Sequence, residues 1–354
     1  MIVNQWMPAA HRGDAVGDNA RVLRDLFRSW GHESNIFALT IDEGLEEEIR
    51  PWQDGSARDG DVTILHFAVP SPMSAAFATL PGTRVLHYHN VTPAHFFAPF
   101  DAGICRMAAM GRRELAGLAG RVDLALGVSE FNRRELDALG FAATGVLPIV
   151  VDTARLTGAR RVPSLETTLQ DGLVNILFVG RIAPNKKIED HIKLAEHYKR
   201  SVDVYYRFIF VGRDDAMPRY SAAMRALIDE FRMLPDRFWF TGPVPDDELA
   251  AYYRNAHAYV SLSEHEGFCV PLVEAMAMDV PVLAYAAAAV PETLGGAGVS
   301  FAPKDLEQAA ELLSALVYDQ PFRQDVLAGQ RRRLADFARS RLEPQVRAML
   351  ESVA

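Results

Sequence analysis

Cysteine is nearly absent from this chain: two residues, Cys105 and Cys269, occur among 354. They stand far apart without metal-type spacing, which excludes a disulfide scaffold and leaves free thiols in a reducing cytoplasm as the expectation. Lysine is scarce too, at five residues, and acidic side chains outnumber basic ones 46 to 37, for a formal charge of −9. That balance speaks against a nucleic-acid partner, which calls for a basic stripe. No apolar run approaches a membrane span. The opening Met1-Ile2-Val3-Asn4-Gln5-Trp6 lacks the basic start and apolar run of a signal peptide. The sequence reads as soluble and cytoplasmic.

With 49% hydrophobic and 23% charged residues, the composition is that of a globular protein. Its length exceeds the size at which one core keeps growing, so two domains are expected. In the first half, 62–67, 84–89 and 124–129 read as buried strands separated by amphipathic stretches. One of these, 20–30, carries Val22, Leu23, Leu26, Phe27 and Trp30 at helical spacing and stops at Gly31. The rhythm breaks over 153–172, a polar stretch with Gly158 and Pro163 that reads as a linker. A second alternation follows, with strands expected at 175–180, 206–212, 258–262 and 280–284 and helices at 224–233 and 246–255. The end of the chain is helical in pattern. The expected fold class is α/β, with doubly wound parallel sheets over 1–152 and 173–335 and a helix over 336–354 crossing back to the first domain. Two such domains form a cleft, and their ligands bind at the carboxyl ends of the strands.

The richest segment is 263–277, SEHEGFCVPLVEAMA. It sets Glu266 just before a helix and Glu274 in what reads as the helix's opening turn, with Pro271 suited to the first helical position. Amides around Val270 and Leu272, with the helix dipole, make a seat for an anion such as a diphosphate. Carboxylates flanking that seat can grip hydroxyls, the combination a nucleotide sugar requires. Two of the five lysines stand in Arg181-Ile182-Ala183-Pro184-Asn185-Lys186-Lys187, just after an expected strand. An arginine fork and a lysine point charge at a strand end can clamp two phosphates.

The pair FVGRIAPNKK and SEHEGFCVPLVEAMAMDVPVLAY resembles the retaining glycosyltransferases of the GT-B fold, in particular family 4, whose two glutamates stand eight positions apart with Gly-Phe after the first. The resemblance covers most of the chain and is strongest over 175–292. It implies two Rossmann-like domains facing across a cleft, an acceptor domain and a nucleotide-sugar domain. It implies that Arg181 and Lys186, with Lys187 beside them, hold the donor diphosphate. It further implies that Glu266 contacts the transferred sugar, that Gly267, Phe268, Val270 and Leu272 offer amides to sugar hydroxyls and phosphate, and that Glu274 binds the ribose. Val244, in Phe240-Thr241-Gly242-Pro243-Val244, matches the base-binding loop.

In the first half, Gly17 lies in a small-residue turn before a helix, where backbone can approach a ligand phosphate. His87 and His89 alternate in an expected strand and so share a side; the family's histidine near the sugar is matched by His89. Ser129 reads either as a helix cap or as part of the acceptor side. Arg106, Arg112 and Arg113 read either as a solvated helix face or as a surface for an anionic acceptor or lipid, peripheral at the inner membrane face.

The implied reaction moves a hexose-type sugar from a UDP- or GDP-sugar to an acceptor hydroxyl with retention, without a metal or other cofactor. The acceptor is a glycan, a glycolipid or a small molecule, as in cell-surface polysaccharide or lipopolysaccharide synthesis. His89 and Glu266 are the candidate catalytic residues, Glu266 as nucleophile or as positioning group. The alternatives are another nucleotide-sugar enzyme of the same fold, an epimerase or a phosphorylase, and an inactive sugar-nucleotide-binding subunit.

Overall fold

The computed structural model describes residues 1–11 and 13–353. Two compact units account for the chain: Met1–Ala98, Ala102–Val151 and Phe337 onward form the first, and Pro99–Asp101 with Asp152–Asp336 the second. Among the described residues, no helix is long and apolar enough to cross a membrane.

The first unit holds seven parallel strands: β1 (Ile2–Ala10), β2 (Glu33–Ile41), β3 (Arg50–Pro51), β4 (Val62–Phe67), β5 (Thr83–Tyr88), β6 (Leu124–Gly127) and β7 (Thr144–Val146), in the order β3-β2-β1-β4-β5-β6-β7. Both faces are covered, so β4 is buried at every position, the pattern of a sheet between helical layers. On one face Leu23, Leu26 and Phe27 of the helix Ala15–Ser29 meet Val3, Val62, Ile64 and Val85. Val346, Met349 and Leu350 of the last helix, Arg339–Val353, join the same core. Each such side chain contributes roughly 1.5–3 kcal/mol of burial. On the other face Trp6, Leu65, Phe67, Leu86 and Tyr88 pack with Met73, Phe77, Leu115 and Leu136.

The second unit holds six parallel strands, β8 (Val174–Val179), β9 (Tyr206–Val211), β10 (Phe238–Gly242), β11 (Ala258–Ser261), β12 (Val282–Tyr285) and β13 (Val299–Phe301), ordered β10-β9-β8-β11-β12-β13. The chain reverses direction of winding between β1 and β4 in the first sheet and between β8 and β11 in the second. Ligands of doubly wound sheets bind outside the carboxyl ends of the strands at such points. The stretch 153–172, read above as a linker, carries two short helices, Ala154–Thr157 and Pro163–Leu169, and belongs to the second unit. Leu156 and Leu169 are buried in that unit's core, and it is these two apolar residues that fold a stretch whose composition is otherwise polar.

Candidate functional site

At the carboxyl end of β8 the backbone of three strands draws together. Gly180 N donates to Val211 O at 2.9 Å, Ile182 N to Arg213 O at 2.8 Å, and Gly212 N to Gly242 O at 3.0 Å. Gly212 has a φ of +140°, and a Cβ there would stand 2.2 Å from Gly180 O, so only glycine fits. From this knot the chain passes exposed Arg181 and turns through the short 3-10 segment Pro184–Lys186 into the helix Ile188–Ser201. Asn185 clips this loop to the neighbouring one: its Nδ2 donates to His265 O at 3.0 Å, and Glu264 N donates to Asn185 O at 2.9 Å. The clip sets Lys186 opposite Glu266. Lys186 Nζ lies 2.6 Å from Glu266 Oε1 and 2.7 Å from Oε2, with the two side chains only 18% and 9% exposed. Lys187 turns away toward Glu189 and Glu264.

Past Glu266, Gly267 and Phe268 are buried, and the Phe268 carbonyl accepts from Thr293 Oγ1. Cys269 adopts a left-handed conformation (φ +69°) from which the helix Val270–Ala277 starts, with Pro271 in its second position. Glu274 therefore lies in the second turn rather than the opening one. The Leu272 amide donates to Cys269 O at 3.0 Å and its side chain is in the core, so within the expected anion seat the Leu272 amide is already bonded and Val270 is the residue at the helix mouth. Burial, then Glu266, push the Cys269 thiol well up, which makes it an inert neighbour. Glu274 is held from two sides. Arg155 reaches its Oε1 at 2.6 Å and also pairs with Asp246, while the Tyr253 hydroxyl donates to Oε2 at 3.0 Å. Burial and the Glu274 charge raise Tyr253 well above the usual tyrosine range, which keeps its proton in place. Val244 follows β10, half-buried against the same core.

In the first unit β5 ends at Tyr88, one residue short of His89, whose amide still bonds to Phe67 O at 2.8 Å. His66 of β4 stands in register with His87 of β5, and both are fully buried. The rings of His87 and His89 lie 4.4 Å apart, as their alternation predicts. Burial pushes His87 down to about 4, and burial with the neighbouring histidines holds His66 and His89 well below the ordinary range. Among the described residues these three are the only histidine, cysteine or carboxylate group placed to hold a metal, with ligating atoms within 4.8 Å of one another. Gly17 is the third residue of the helix Ala15–Ser29. A Cβ there would meet nothing closer than 3.5 Å, so a small side chain is not dictated by packing. Ser129 caps the helix Glu130–Ala138 by accepting from Asn132 N at 3.3 Å. Of the three arginines near residue 110, Arg112 pairs with Glu135 and donates to Val91 O, leaving Arg106 and Arg113 exposed.

A buried lysine–glutamate pair at a strand end, beside a helix mouth and a doubly held glutamate, can receive a diphosphate and adjacent hydroxyls together. The glycosyl transferases group 1 profile matches residues 166–334, which contain all of this arrangement except Arg155. A GDP-mannose-dependent alpha-mannosyltransferase of Mycobacterium tuberculosis is 32% identical over 308 residues, 75% of this chain and 73% of that one. The chain belongs to the glycosyl transferases group 1. The serotype-specific mannosyltransferase WbdA of Escherichia coli is 25% identical over 170 residues, 48% of this chain. The chain spans only 21% of that much longer protein's length. Among solved structures, a sucrose-phosphate synthase from Thermosynechococcus elongatus superposes with a TM-score of 0.75 at 16% identity, covering 99% of this chain and 98% of that one. At that identity the likeness shows the fold, GT-B.

Within this group 1 member, sequence reasoning missed Arg155, Tyr253, Asn185 and His66. Arg155 sits in the stretch taken as a linker, and no local pattern ties it to Glu274, 119 positions away. Asn185 was visible as the residue before the basic pair, but its role as a clip depends on a carbonyl 80 positions on. The alternation that flagged His87 and His89 applied within one strand, whereas His66 comes from the neighbouring strand.

Proposed function

We propose that the chain transfers a hexosyl group, with retention, from a nucleoside diphosphate sugar to an acceptor hydroxyl, with GDP-mannose as the first donor to test. The Lys186–Glu266 pair at the mouth of the helix Val270–Ala277 carries the reading. In the proposal Lys186 and Arg181 take the diphosphate, Val270, Gly267 and Phe268 lend amides, Glu274 grips the ribose and Val244 meets the base. The donor choice is supported by the relative named as GDP-mannose-dependent.

The bond from the anomeric carbon to the phosphate oxygen breaks, the acceptor oxygen bonds to that carbon on the same face, and its proton passes to the departing phosphate oxygen. Charge then builds where Lys186 already stands, so electrostatic stabilisation is the main contribution of these residues. Glu266 fits the positioning role better than the nucleophilic one, because an ammonium engages both of its oxygens and blunts their attack. The phosphorylase alternative needs a lysine free to carry a cofactor. Lys304 instead is clamped by Asp190, Glu264 and the Leu262 carbonyl over the Tyr285 ring.

On the acceptor side we place His89 and Ser129 of the first unit, and we keep Gly17 as a donor residue whose backbone approaches the phosphate. Arg106, Met107, Met110 and Arg113 share one exposed face of the helix Ala102–Gly117, which supports a glycolipid acceptor and contact with an anionic membrane surface.

A thermal-shift series with GDP and UDP, followed by hydrolysis of GDP-mannose without acceptor, tests the reading. A nucleotide at about 100 times its Kd stabilises by about 2.7 kcal/mol. Stabilisation by GDP with slow hydrolysis is expected. Binding without turnover of any donor returns the inactive-subunit alternative, and no shift with either nucleotide refutes the assignment.

A further inference from the structure

Three polar side chains in the first unit form a chain whose proton positions are dictated from one end. Gln5 Nε2 donates to the carbonyl of Ala20 in the helix Ala15–Ser29, at 3.0 Å. A carbonyl can only accept, so the amide end of Gln5 is fixed there and its Oε1 faces the other way. That oxygen lies 2.9 Å from His66 Nε2, which must therefore carry the proton. A neutral imidazole bears one N–H, so His66 Nδ1 is bare, and His89 Nε2, 2.9 Å away, donates to it. His89 is then left with a bare Nδ1. That atom is buried and has no hydrogen-bond partner among the described residues.

We propose that Gln5 and His66 are positioning residues that fix His89 in its Nε2–H form, so that His89 presents Nδ1 as an acceptor to a substrate hydroxyl. The proposal rests on the acceptor-side role given to His89 above. Burial supports it, since all three imidazoles of this cluster are held neutral. His87 stands outside the chain: its Nε2 donates to Leu147 O at 2.9 Å and its Nδ1 is unpartnered. A metal on the three histidines is the competing use of the cluster. It would need a lone pair from each, and the one on His66 Nδ1 already accepts the His89 Nε2–H, so a metal there would have to break that hydrogen bond and move the His89 proton to Nδ1. The chain also assigns a direction to recognition: His89 accepts from a hydroxyl and does not donate to a sugar oxygen.

The decisive measurement needs no substrate. Long-range proton–nitrogen spectra of the full chain labelled at its ten histidines read each tautomer directly, with His89 assigned by its disappearance in His89→Gln. The Nε2–H pattern is expected for both His89 and His66. An Nδ1–H pattern at His89, or zinc retained by the purified protein and perturbing all three histidines, overturns the proposal. Gln5→Met, close in shape, removes the acceptor that anchors His66. It should mix the His89 tautomers and lower kcat for GDP-mannose hydrolysis, in which water takes the acceptor hydroxyl's place, about tenfold, the scale of one orienting hydrogen bond, with KM unchanged. A Gln5→Met enzyme with mixed tautomers and wild-type kcat refutes the substrate-facing role. If the wild type turns over no donor, the transferase reading falls while the tautomer spectrum still decides the chain.

Discussion

Acidification should destabilise the first unit through His87, and the size of the effect follows from its burial. His87 is fully enclosed, and its imidazole is pushed from 6.5 down to about 4. Because the folded value is the lower one, the unfolded chain takes up a proton first as pH falls. Stability is complete above about pH 6.5, declines through the window down to about pH 4, and levels off below it. At 1.36 kcal/mol per unit the whole window amounts to about 3 kcal/mol, of which about 2 kcal/mol is lost by pH 5. His66 and His89 are shifted in the same direction and deepen the loss. The comparison variant is His87→Gln, which retains an N–H for Leu147 O and cannot titrate. Urea unfolding at pH 8 and pH 5 is followed by tryptophan emission, because Trp6, Trp30 and Trp52 lie in the first unit and only Trp239 in the second. The wild type should lose about 2 kcal/mol more than His87→Gln between the two pH values, with the carboxylates common to both cancelling. Equal losses in the two proteins would refute the claim that this imidazole is held neutral by burial.

In the second unit, Lys186→Met should leave Glu266 without its cation, lowering stability by about 3 kcal/mol and GDP affinity at least tenfold; calorimetric titration with unchanged affinity would remove Lys186 from the phosphate site. Arg155→Leu releases one oxygen of Glu274 and is expected to weaken GDP about tenfold while leaving binding of inorganic diphosphate alone, a contrast that fails if Arg155 is only a fold element. Gly212→Ala drives a Cβ into the Gly180 carbonyl and should destabilise by at least about 2 kcal/mol, read as a lower urea midpoint with the same slope.

Much of the architecture was legible because parallel strands buried on both faces write themselves as continuous apolar runs: 62–67 and 206–212 match β4 and β9 nearly to the residue. β1 escaped notice although it is central, since Asn4 and Gln5 interrupt its apolar pattern; both are fully buried, and the fold supplies carbonyl partners for their amide N–H groups. Short edge strands such as β3 and β7 carry too few residues to show a period. For the site, residue types at fixed local spacing were readable, as with Glu266, Glu274 and the lysine pair. What was not readable is which partner each would meet, because Arg155 to Glu274 and Lys186 to Glu266 are contacts across many tens of residues set by the strand order of the sheet.

Those long-range contacts change what the donor segment means. As a string of acids before a helix, 263–277 reads as negative charge awaiting a ligand, an awkward place for a diphosphate. In the fold each acid is matched: Glu264 by Lys187 and Lys304, Glu266 by Lys186, Glu274 by Arg155. In the proposed function an incoming diphosphate meets a site whose carboxylates are already neutralised and oriented, and the ordering cost of several long side chains falls on folding rather than on binding. The same proposal has Lys186 serve two masters in turn. Its ammonium carries three N–H donors, so it can keep a bond to Glu266 while reaching a phosphate oxygen, and movement of the ammonium toward the leaving group would loosen its hold on Glu266 as charge develops. On this view Glu266→Gln, by freeing Lys186 before the donor arrives, should tighten GDP binding while slowing transfer, an opposition that a nucleophilic Glu266 does not require.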